Sequence, residues 1–288
     1  LPRKIQHFDF SGTLLKKITF APNSEIEQID SRAFFETQIE EISLPSSVTE
    51  IRSYAFSNCK KLKTIKMDNS QLRKIESFAF YDCESLTTFD LPSTINFFGK
   101  SCFQHCSKLA LAPELTEMDT ITVESRSFCN SGILFFKSNC NHLFVGTDSF
   151  NNCAQLTSVS LSVKESCRFD QGAFKNCENL TEFILNPDVP IIKIKKECFM
   201  NSGINRFVVP LHLKTINQSL FRNCRQLTQI EINENCVLNS IKPHAFRSTS
   251  IQSIFISRLI DRIYQKAFYK CLQLSEIKFD EKSNLNRI

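Results

Sequence analysis

Several features that mark linkers, membrane spans or enzymes are missing from this sequence. Only 6 of its 288 residues are glycine and no low-complexity tract is present, so no linker is indicated. No run of about 18 apolar residues occurs, and we therefore expect no direct membrane insertion by this segment. A His-Glu-x-x-His pair, a glycine-rich phosphate loop and a nucleophile elbow are also absent. These absences exclude the catalytic sites that such motifs encode.

The positive charge is not arranged as in a nucleic-acid-binding protein. The formal net charge of +5 is spread along the chain. Basic residues cluster at two places, which comprise Lys60, Lys61, Lys63 and Lys66 in one and Lys193, Lys195 and Lys196 in the other. A nucleic-acid surface has a basic stripe interleaved with aromatic residues, and neither cluster has one. We interpret both clusters as solvated surface and expect no nucleic-acid partner.

Phenylalanine, in contrast, is abundant and periodic. Twelve of the 27 phenylalanines recur at intervals of 22 to 25 residues. They are Phe10, Phe34, Phe56, Phe80, Phe103, Phe128, Phe150, Phe174, Phe199, Phe221, Phe246 and Phe268. A fixed period of this length is the signature of a solenoid, in which each repeat forms one coil stacked on the next. We predict a single elongated domain of about twelve repeats over residues 1–288.

Apolar residues at fixed offsets from each phenylalanine outline the coil. Five residues upstream stands a β-branched or aromatic residue, such as Ile51 or Phe98. Downstream, apolar residues alternate with others, as in residues 64–67, and this period of two predicts a strand with one inward face. A proline such as Pro45 often follows, where the strand must end because proline has no N–H. We expect the segment between the upstream residue and the phenylalanine to turn the coil back.

The residue three positions after each phenylalanine is usually small and can donate a hydrogen bond. It is cysteine in the longer repeats and a hydroxyl residue in the shorter ones: Cys59, Cys83, Cys106, Cys153, Cys177, Cys224 and Cys271, and Thr13, Thr37, Ser131, Ser202 and Thr249. These side chains share little except their size and a polar hydrogen. We therefore predict a buried position close to a backbone carbonyl.

The six remaining cysteines are Cys102, Cys129, Cys140, Cys167, Cys198 and Cys236. The total of 13 is odd, so the chain cannot pair all of its own cysteines. We expect mostly reduced, buried thiols that act as small apolar residues. The cysteine pattern is compatible with both a reducing and an oxidising compartment.

Cys102, His105 and Cys106 form the densest group of metal-ligand residue types. Zinc needs a fourth ligand and usually a second closely spaced pair. The nearest such pair, Cys140 and His142, lies about one and a half repeats further on. We expect no metal, no cofactor and no enzymatic activity. A catalytic Cys–His pair between residues distant in the sequence is the alternative that motifs leave open.

The repeat unit resembles that of a known family. Residues 42–62 read ISLPSSVTEIRSYAFSNCKKL, which closely resembles the BspA-like (treponemal class) leucine-rich repeat, and the resemblance covers essentially the whole chain. It implies a leucine-rich-repeat horseshoe of the α/β class, rich in β-structure, with a parallel strand ladder on the concave side. It also implies irregular or short helical turns on the convex side. The composition is more typical of the family's protozoan members, which include surface antigens.

Two places depart from the repeat. Pro113 comes one position early, and residues 114–120 match no repeat position, so we expect a kink or a bulged coil there. Both ends cut a repeat, because Ile288 occupies the upstream position of a thirteenth unit. We therefore expect a fragment of a longer protein.

The outward-facing residues of the later predicted strands are the candidate binding surface on the concave side. We call this set the outward row: Phe135, Lys137, Glu182, Ile184, Arg206, Val208, Gln229, Glu231, Ser253 and Phe255. Four of its members are large and apolar at positions where water is expected, which is typical of a contact site. A shift of the strands by one residue is the alternative, because it would turn every one of these side chains inward.

The resemblance implies a non-catalytic recognition module that binds a protein or a glycan through the solenoid surface. It also implies a secreted or cell-surface location, with adhesion to a host cell or to extracellular matrix as the role. The alternative is a cytoplasmic scaffold that holds intracellular protein partners. A signal peptide or membrane anchor elsewhere in the parent chain would separate the two hypotheses.

Overall fold

The computed structural model describes residues 4–6, 9–21, 23–67, 71–283 and 285. These residues form twenty β-strands joined by turns, without a helix, and every pairing among them is parallel. The predicted solenoid of stacked parallel strands is confirmed. Ile288, the expected start of a further repeat, lies outside the described residues.

The strands form two ladders on two sides of the coil. The first ladder follows the phenylalanines and contains β3 (Glu41–Ser43), β5 (Thr64–Lys66), β7 (Thr88–Phe89), β12 (Glu182–Leu185), β14 (Arg206–Val208), β16 (Gln229–Glu231), β18 (Ser253–Ile256) and β20 (Glu276–Phe279). The second ladder contains β1 (Lys4–Ile5), β2 (Gln28–Ile29), β4 (Glu50–Ile51), β6 (Lys74–Ile75), β8 (Phe97–Phe98), β13 (Ile191–Ile194), β15 (Thr215–Ile216), β17 (Ser240–Ile241) and β19 (Arg262–Ile263). Three long strands, β9 (Glu114–Val123), β10 (Phe135–Val145) and β11 (Ser158–Phe169), run through both.

The phenylalanines lie on the third side of the coil, in a run of turns. Around each phenylalanine from Phe34 to Phe268, the residues two before and two after have a positive φ, as Tyr54 (60°) and Asn58 (59°) do around Phe56. Asparagine tolerates this left-handed conformation better than most side chains, and it occupies the later position in six coils. The N–H groups of Tyr54, Phe56 and Asn58 donate to carbonyls of the next coil at 2.8–3.1 Å. Stacking therefore satisfies the backbone of the turns.

The twelve phenylalanine rings form one continuous stack. Consecutive ring centroids lie 5.0–5.6 Å apart and their planes are inclined by 2–14°. Phe10 and Phe268 at the two ends are half-buried, and the rings between them are fully buried. Each inner ring packs against both neighbouring coils, so a coil completes its core only within the stack.

The predicted buried position beside a carbonyl is confirmed. In all seven cysteine repeats the thiol lies 2.8–3.1 Å from the carbonyl oxygen of the phenylalanine one coil earlier. The hydroxyls of four shorter repeats instead contact the cysteine of the next coil at 3.3–3.7 Å; these are Thr37, Ser131, Ser202 and Thr249. This position therefore links successive coils.

Turns follow the upstream residue, as expected, but the upstream residue itself belongs to a short strand that the repeat pattern does not predict. The residue after it donates its N–H to the preceding coil, as Arg52 does to the Ile29 carbonyl at 2.9 Å, and a second ladder results. The bulge expected at residues 114–120 is confirmed, because these residues belong to strand β9 and the pairing of β9 with β10 shifts its register between Ser138 and Cys140. The turn side is irregular, which was one of the two expected alternatives, and its described residues contain no helical turn.

Both ladders are interrupted between the same two coils, and we call this interruption the seam. Strands β12 and β13 pair with β11, whereas β14 and β15 begin separate sheets. The side chain of Asn217 replaces one missing ladder bond, since its Nδ2 donates to the Ile194 carbonyl at 2.6 Å. The turn side stays continuous, because Phe199 stacks on both Phe174 and Phe221 at 5.6 Å.

Candidate binding site at the seam

The outward row lies on the outer face of the first ladder and of β10. The residues between its members, such as Phe136, Phe207 and Ile230, point inward and are buried. Ile184 is 50% exposed and Val208 is 38% exposed, and the two phenylalanines of the row are half-buried. The strands therefore have the register that turns this row outward. Its role as a binding surface stays a prediction.

The seam opens a cleft of about 620 Å³ on this face. The cleft brings together four members of the outward row, Glu182 and Ile184 from β12 and Arg206 and Val208 from β14. Gln229 and Glu231 flank it, because they pair in register with Arg206 and Val208. The remaining four, Phe135, Lys137, Ser253 and Phe255, do not line the cleft.

Two inward-facing phenylalanines complete the cleft. Phe183 and Phe207 are among its lining residues, and their ring centroids lie 6.1 Å apart. Each packs edge-on against the phenylalanine stack, Phe183 on Phe199 at 4.7 Å and Phe207 on Phe221 at 4.9 Å. The inner part of the cleft is therefore aromatic and held by the core, with aliphatic side chains at the opening.

Two of the charged groups at the cleft, Arg206 and Glu231, are paired with each other. The Arg206 guanidinium binds both carboxylate oxygens of Glu231, with Nη2 at 2.8 Å from Oε2. This hydrogen bond lowers the pKa of Glu231 and raises the pKa of Arg206. A bidentate arginine–carboxylate pair of this kind has a fixed geometry. The apolar opening of the cleft is thus bordered by an ordered pair that carries no net charge.

The sequence analysis did not locate the seam. Pro187 and Pro190 lie between β12 and β13, and neither can donate a backbone hydrogen bond to a neighbouring coil. Two prolines within four residues were the available sequence signal. The second ladder was missed as well, because its strands are only two residues long in most coils.

The group formed by Cys102, His105 and Cys106 is held by other contacts. Cys106 donates to the Phe80 carbonyl at 3.1 Å and Cys102 to the Ser127 carbonyl at 3.8 Å. Within the part of the chain that the structure describes, no three His, Cys, Asp or Glu side chains are grouped to hold a metal ion. The same part contains no helix with the length and apolarity needed to cross a membrane.

The thiols are poorly placed for nucleophilic chemistry. All thirteen cysteines are unpaired, and only Cys271 is less than fully buried. Burial raises the pKa of Cys59 and of Cys129 to about 11, and it raises the pKa of Cys83 and Cys177 further. Since the thiolate is the reactive form, these groups are inert near neutral pH.

One histidine lies close to a hydroxyl and a carboxylate. His142 Nδ1 is 2.9 Å from Ser166 Oγ, and its Nε2 is 3.3 Å from Glu165 Oε2. His142 and Ser166 are direct partners in the pairing of β10 with β11, so the ladder register accounts for their contact. The Glu165 side chain is 61% exposed. Nucleophilic catalysis uses a buried carboxylate to orient the histidine, and Glu165 does not provide one.

Comparison with known proteins identifies the family of the chain and a solved structure with a similar fold. The family described as BspA type Leucine rich repeat region matches the chain in 6 copies, over residues 2–110, 114–193 and 192–288. A leucine-rich repeat protein from Bacteroides ovatus has a similar structure, with 20% identity and a TM-score of 0.65 over 97% of this chain and 82% of that one. At this identity the likeness shows the fold alone. No curated protein matches the chain.

Two further solved structures share less of the geometry. One is the leucine-rich repeat protein of T. pallidum, with 26% identity and a TM-score of 0.41 over 61% of this chain and 70% of that one. The other is a leucine-rich cell surface protein from Faecalibacterium prausnitzii, with 19% identity and a TM-score of 0.38 over 88% and 83% of the two chains. None of these three proteins supports the protozoan origin suggested by the composition.

Proposed function

Because the chain belongs to the BspA-type leucine-rich-repeat family, we propose that it is a non-catalytic recognition module whose ligand binds at the seam cleft. The family is one of repeat modules, and leucine-rich-repeat solenoids serve as binding surfaces. The observation that carries the proposal is the exposure of Ile184 and Val208 at the opening of that cleft.

The layout of the cleft favours a protein ligand. Protein interfaces have an apolar centre surrounded by a polar rim. Here Ile184, Val208 and Phe183 supply the centre, and the Arg206–Glu231 pair supplies part of the rim. Because the phenylalanine stack holds the aromatic part of the cleft, little side-chain freedom would be lost on binding.

The biological setting of this activity follows from the family resemblance. We place the module on the cell surface or in the secreted fraction, where it contributes to adhesion through a host-cell or extracellular-matrix protein. Staining of intact and permeabilised source cells with an antibody to this chain tests the location. Signal on intact cells supports the surface role. Signal only after permeabilisation overturns it and favours the cytoplasmic scaffold.

The cleft itself is tested by adding charge to its apolar opening. The double variant Ile184→Lys/Val208→Lys should bind immobilised extracellular-matrix proteins and cultured epithelial cells at least about tenfold more weakly than the parent chain, since a buried, unpaired ammonium is costly. A matched control, Ser43→Lys/Thr88→Lys, adds the same charge at exposed positions of the first ladder far from the seam. Equal binding by the two variants would show that the ligand contacts another surface.

A further inference from the structure

The second-ladder side of the seam carries a concentration of lysines drawn from separate coils. Lys193 and Lys195 belong to or follow β13, Lys214 precedes β15, and Lys242 follows β17. With Lys196 they form the set that we call the lysine face. The sequence shows only the cluster at residues 193–196. The fold places Lys214 and Lys242 near it, because their coils are the first and the second after that of β13 in the stack, and Lys242 lines one cleft with Lys195 and Lys196.

Two adjoining clefts run through the lysine face. One has a volume of about 460 Å³ and is lined by Lys193, Lys195 and Lys214, and the other has about 400 Å³ and is lined by Lys195, Lys196 and Lys242. They share Lys195 and Asn217, so they are continuous across the seam. No Asp or Glu is among the lining residues of either cleft.

Most of this positive charge is not neutralised within the chain. Lys195 Nζ lies 2.9 Å from Asp170 Oδ1, and Lys242 Nζ donates to the Tyr264 hydroxyl at 3.1 Å. Lys193, Lys196 and Lys214 are exposed and form no ion pair or side-chain hydrogen bond with any residue that the structure describes. Lys193 and Lys196 come from one coil and Lys214 from the next, so these ammonium groups project from two adjacent coils of one surface. Clustered like charges of this kind attract a polyanion.

The uncharged groups in the clefts indicate what kind of polyanion fits. Gln171, Asn217 and Gln218 provide amide groups that both donate and accept hydrogen bonds, and Ile191 exposes 61% of its surface in the neighbouring cleft. This combination suits a chain that alternates anionic groups with hydroxyls and apolar ring faces. Single-stranded nucleic acids bind on aromatic side chains that stack with the bases, and no Phe, Tyr or Trp lines either cleft.

We propose that the lysine face is a second binding site, separate from the cleft of the outward row, and that it binds a sulfated polysaccharide. The ammonium groups contact the sulfate esters, and the amides contact the sugar hydroxyls. Binding at this site requires no ligand at the first ladder, so the proposal can be tested independently of the proposed protein recognition.

The probe for this proposal is heparin, with fully desulfated heparin as the matched ligand control. At an ionic strength of about 0.15 M, charges more than about 8 Å apart are largely screened, so a diffuse excess charge contributes little. The chain should bind immobilised heparin and should not bind the desulfated form. The triple variant Lys193→Gln/Lys196→Gln/Lys214→Gln should lower the heparin affinity about 100-fold, because it removes the usual binding free energy of three lysines near an anionic surface.

A control variant separates a defined site from net charge. Lys61→Gln/Lys66→Gln/Lys108→Gln removes the same charge from exposed lysines in earlier coils and should keep the affinity within about threefold of the parent. All six lysines are exposed, so both variants should share the parent's unfolding midpoint. Equal losses in the two variants, or no binding of heparin, would overturn the proposal. Single-stranded DNA that competes as well as heparin at equal charge would overturn the assignment to a polysaccharide.

Discussion

Two side chains in each coil, one ring and one thiol or hydroxyl, connect it to the neighbouring coils. The ring contributes to the continuous phenylalanine stack, and the cysteine thiol donates to the carbonyl of the stacked residue one coil earlier. Cys177, for example, donates to the Phe150 carbonyl at 2.9 Å. Both contacts recur with the period of the repeat. Because each inner ring contacts both neighbouring coils, substitution of one ring perturbs three coils. This local coupling explains why a single coil cannot bury its own core.

Removal of one ring from the stack should leave a cavity. Phe174→Ala should lower the free energy of unfolding by about 3 to 5 kcal/mol, because the ring is fully buried between Phe150 and Phe199. Urea unfolding measures the change. Phe144→Ala is the matched control, since that ring is half-buried outside the stack, and its effect should be clearly smaller. An unchanged transition for Phe174→Ala would refute the assigned core.

The thiols should react slowly in the native protein. Burial raises the pKa of Cys59 to about 11 and that of Cys224 to about 12, so at pH 8 few of these groups are thiolates. A thiol reagent should modify about one cysteine quickly, the half-buried Cys271, and nearly all thirteen after denaturation without a reductant. The native rate should rise with pH as the thiolate fraction grows. A large shortfall after denaturation would show that disulfides join the coils.

At the scale of the strands, the seam is the feature that distinguishes one coil boundary from the others. Elsewhere in the second ladder, the residue after the upstream position donates its backbone N–H to the preceding coil, as Lys195 does to Phe169 at 2.9 Å and Lys242 does to Ile216 at 2.9 Å. At the seam, the Asn217 side chain makes the corresponding bond to Ile194. A side-chain amide reaches further than a backbone N–H, so the two coils can stand apart without leaving that carbonyl unpaired.

The contribution of the Asn217 side-chain amide can be tested by removing it. Asn217→Ala should lower the free energy of unfolding by about 1 to 3 kcal/mol, because the Ile194 carbonyl loses its partner. Gln218→Ala is the control, since this neighbouring side chain is exposed and should have an effect below about 0.5 kcal/mol. Thermal and urea unfolding of the two variants provide the comparison. Equal stabilities would mean that water replaces the amide without cost.

At the scale of the whole molecule, the solenoid is continuous on its turn side and divided on its two ladder sides. The long strands β9, β10 and β11 form a block in which both ladders merge, whereas the seam lies one coil beyond this block. Regions with fewer backbone hydrogen bonds open at lower free energy than the strongly paired regions. The two candidate binding sites lie on the two ladder sides of the coil, at the boundary where both ladders are interrupted.

Hydrogen exchange should reveal this division. Backbone amides of residues 206–208 should exchange faster than those of residues 159–163, because β14 has no partner on its seam side and β11 is paired on both sides. Mass spectrometry of peptides from these two regions measures the difference. Exchange at the same rate in both would indicate that the seam is closed in solution.

The sequence by itself determined the coil. The phenylalanine period, the inward apolar set and the small hydrogen-bonding position were predictable, because each depends on offsets within one repeat, and the outward side of Ile184 and Val208 followed from strand alternation. Only the tertiary structure decided the second ladder, the seam and the spatial proximity of Lys193, Lys214 and Lys242. These depend on hydrogen bonds and neighbours supplied by other coils, 21 or more residues away, and no local pattern records which of those bonds are made.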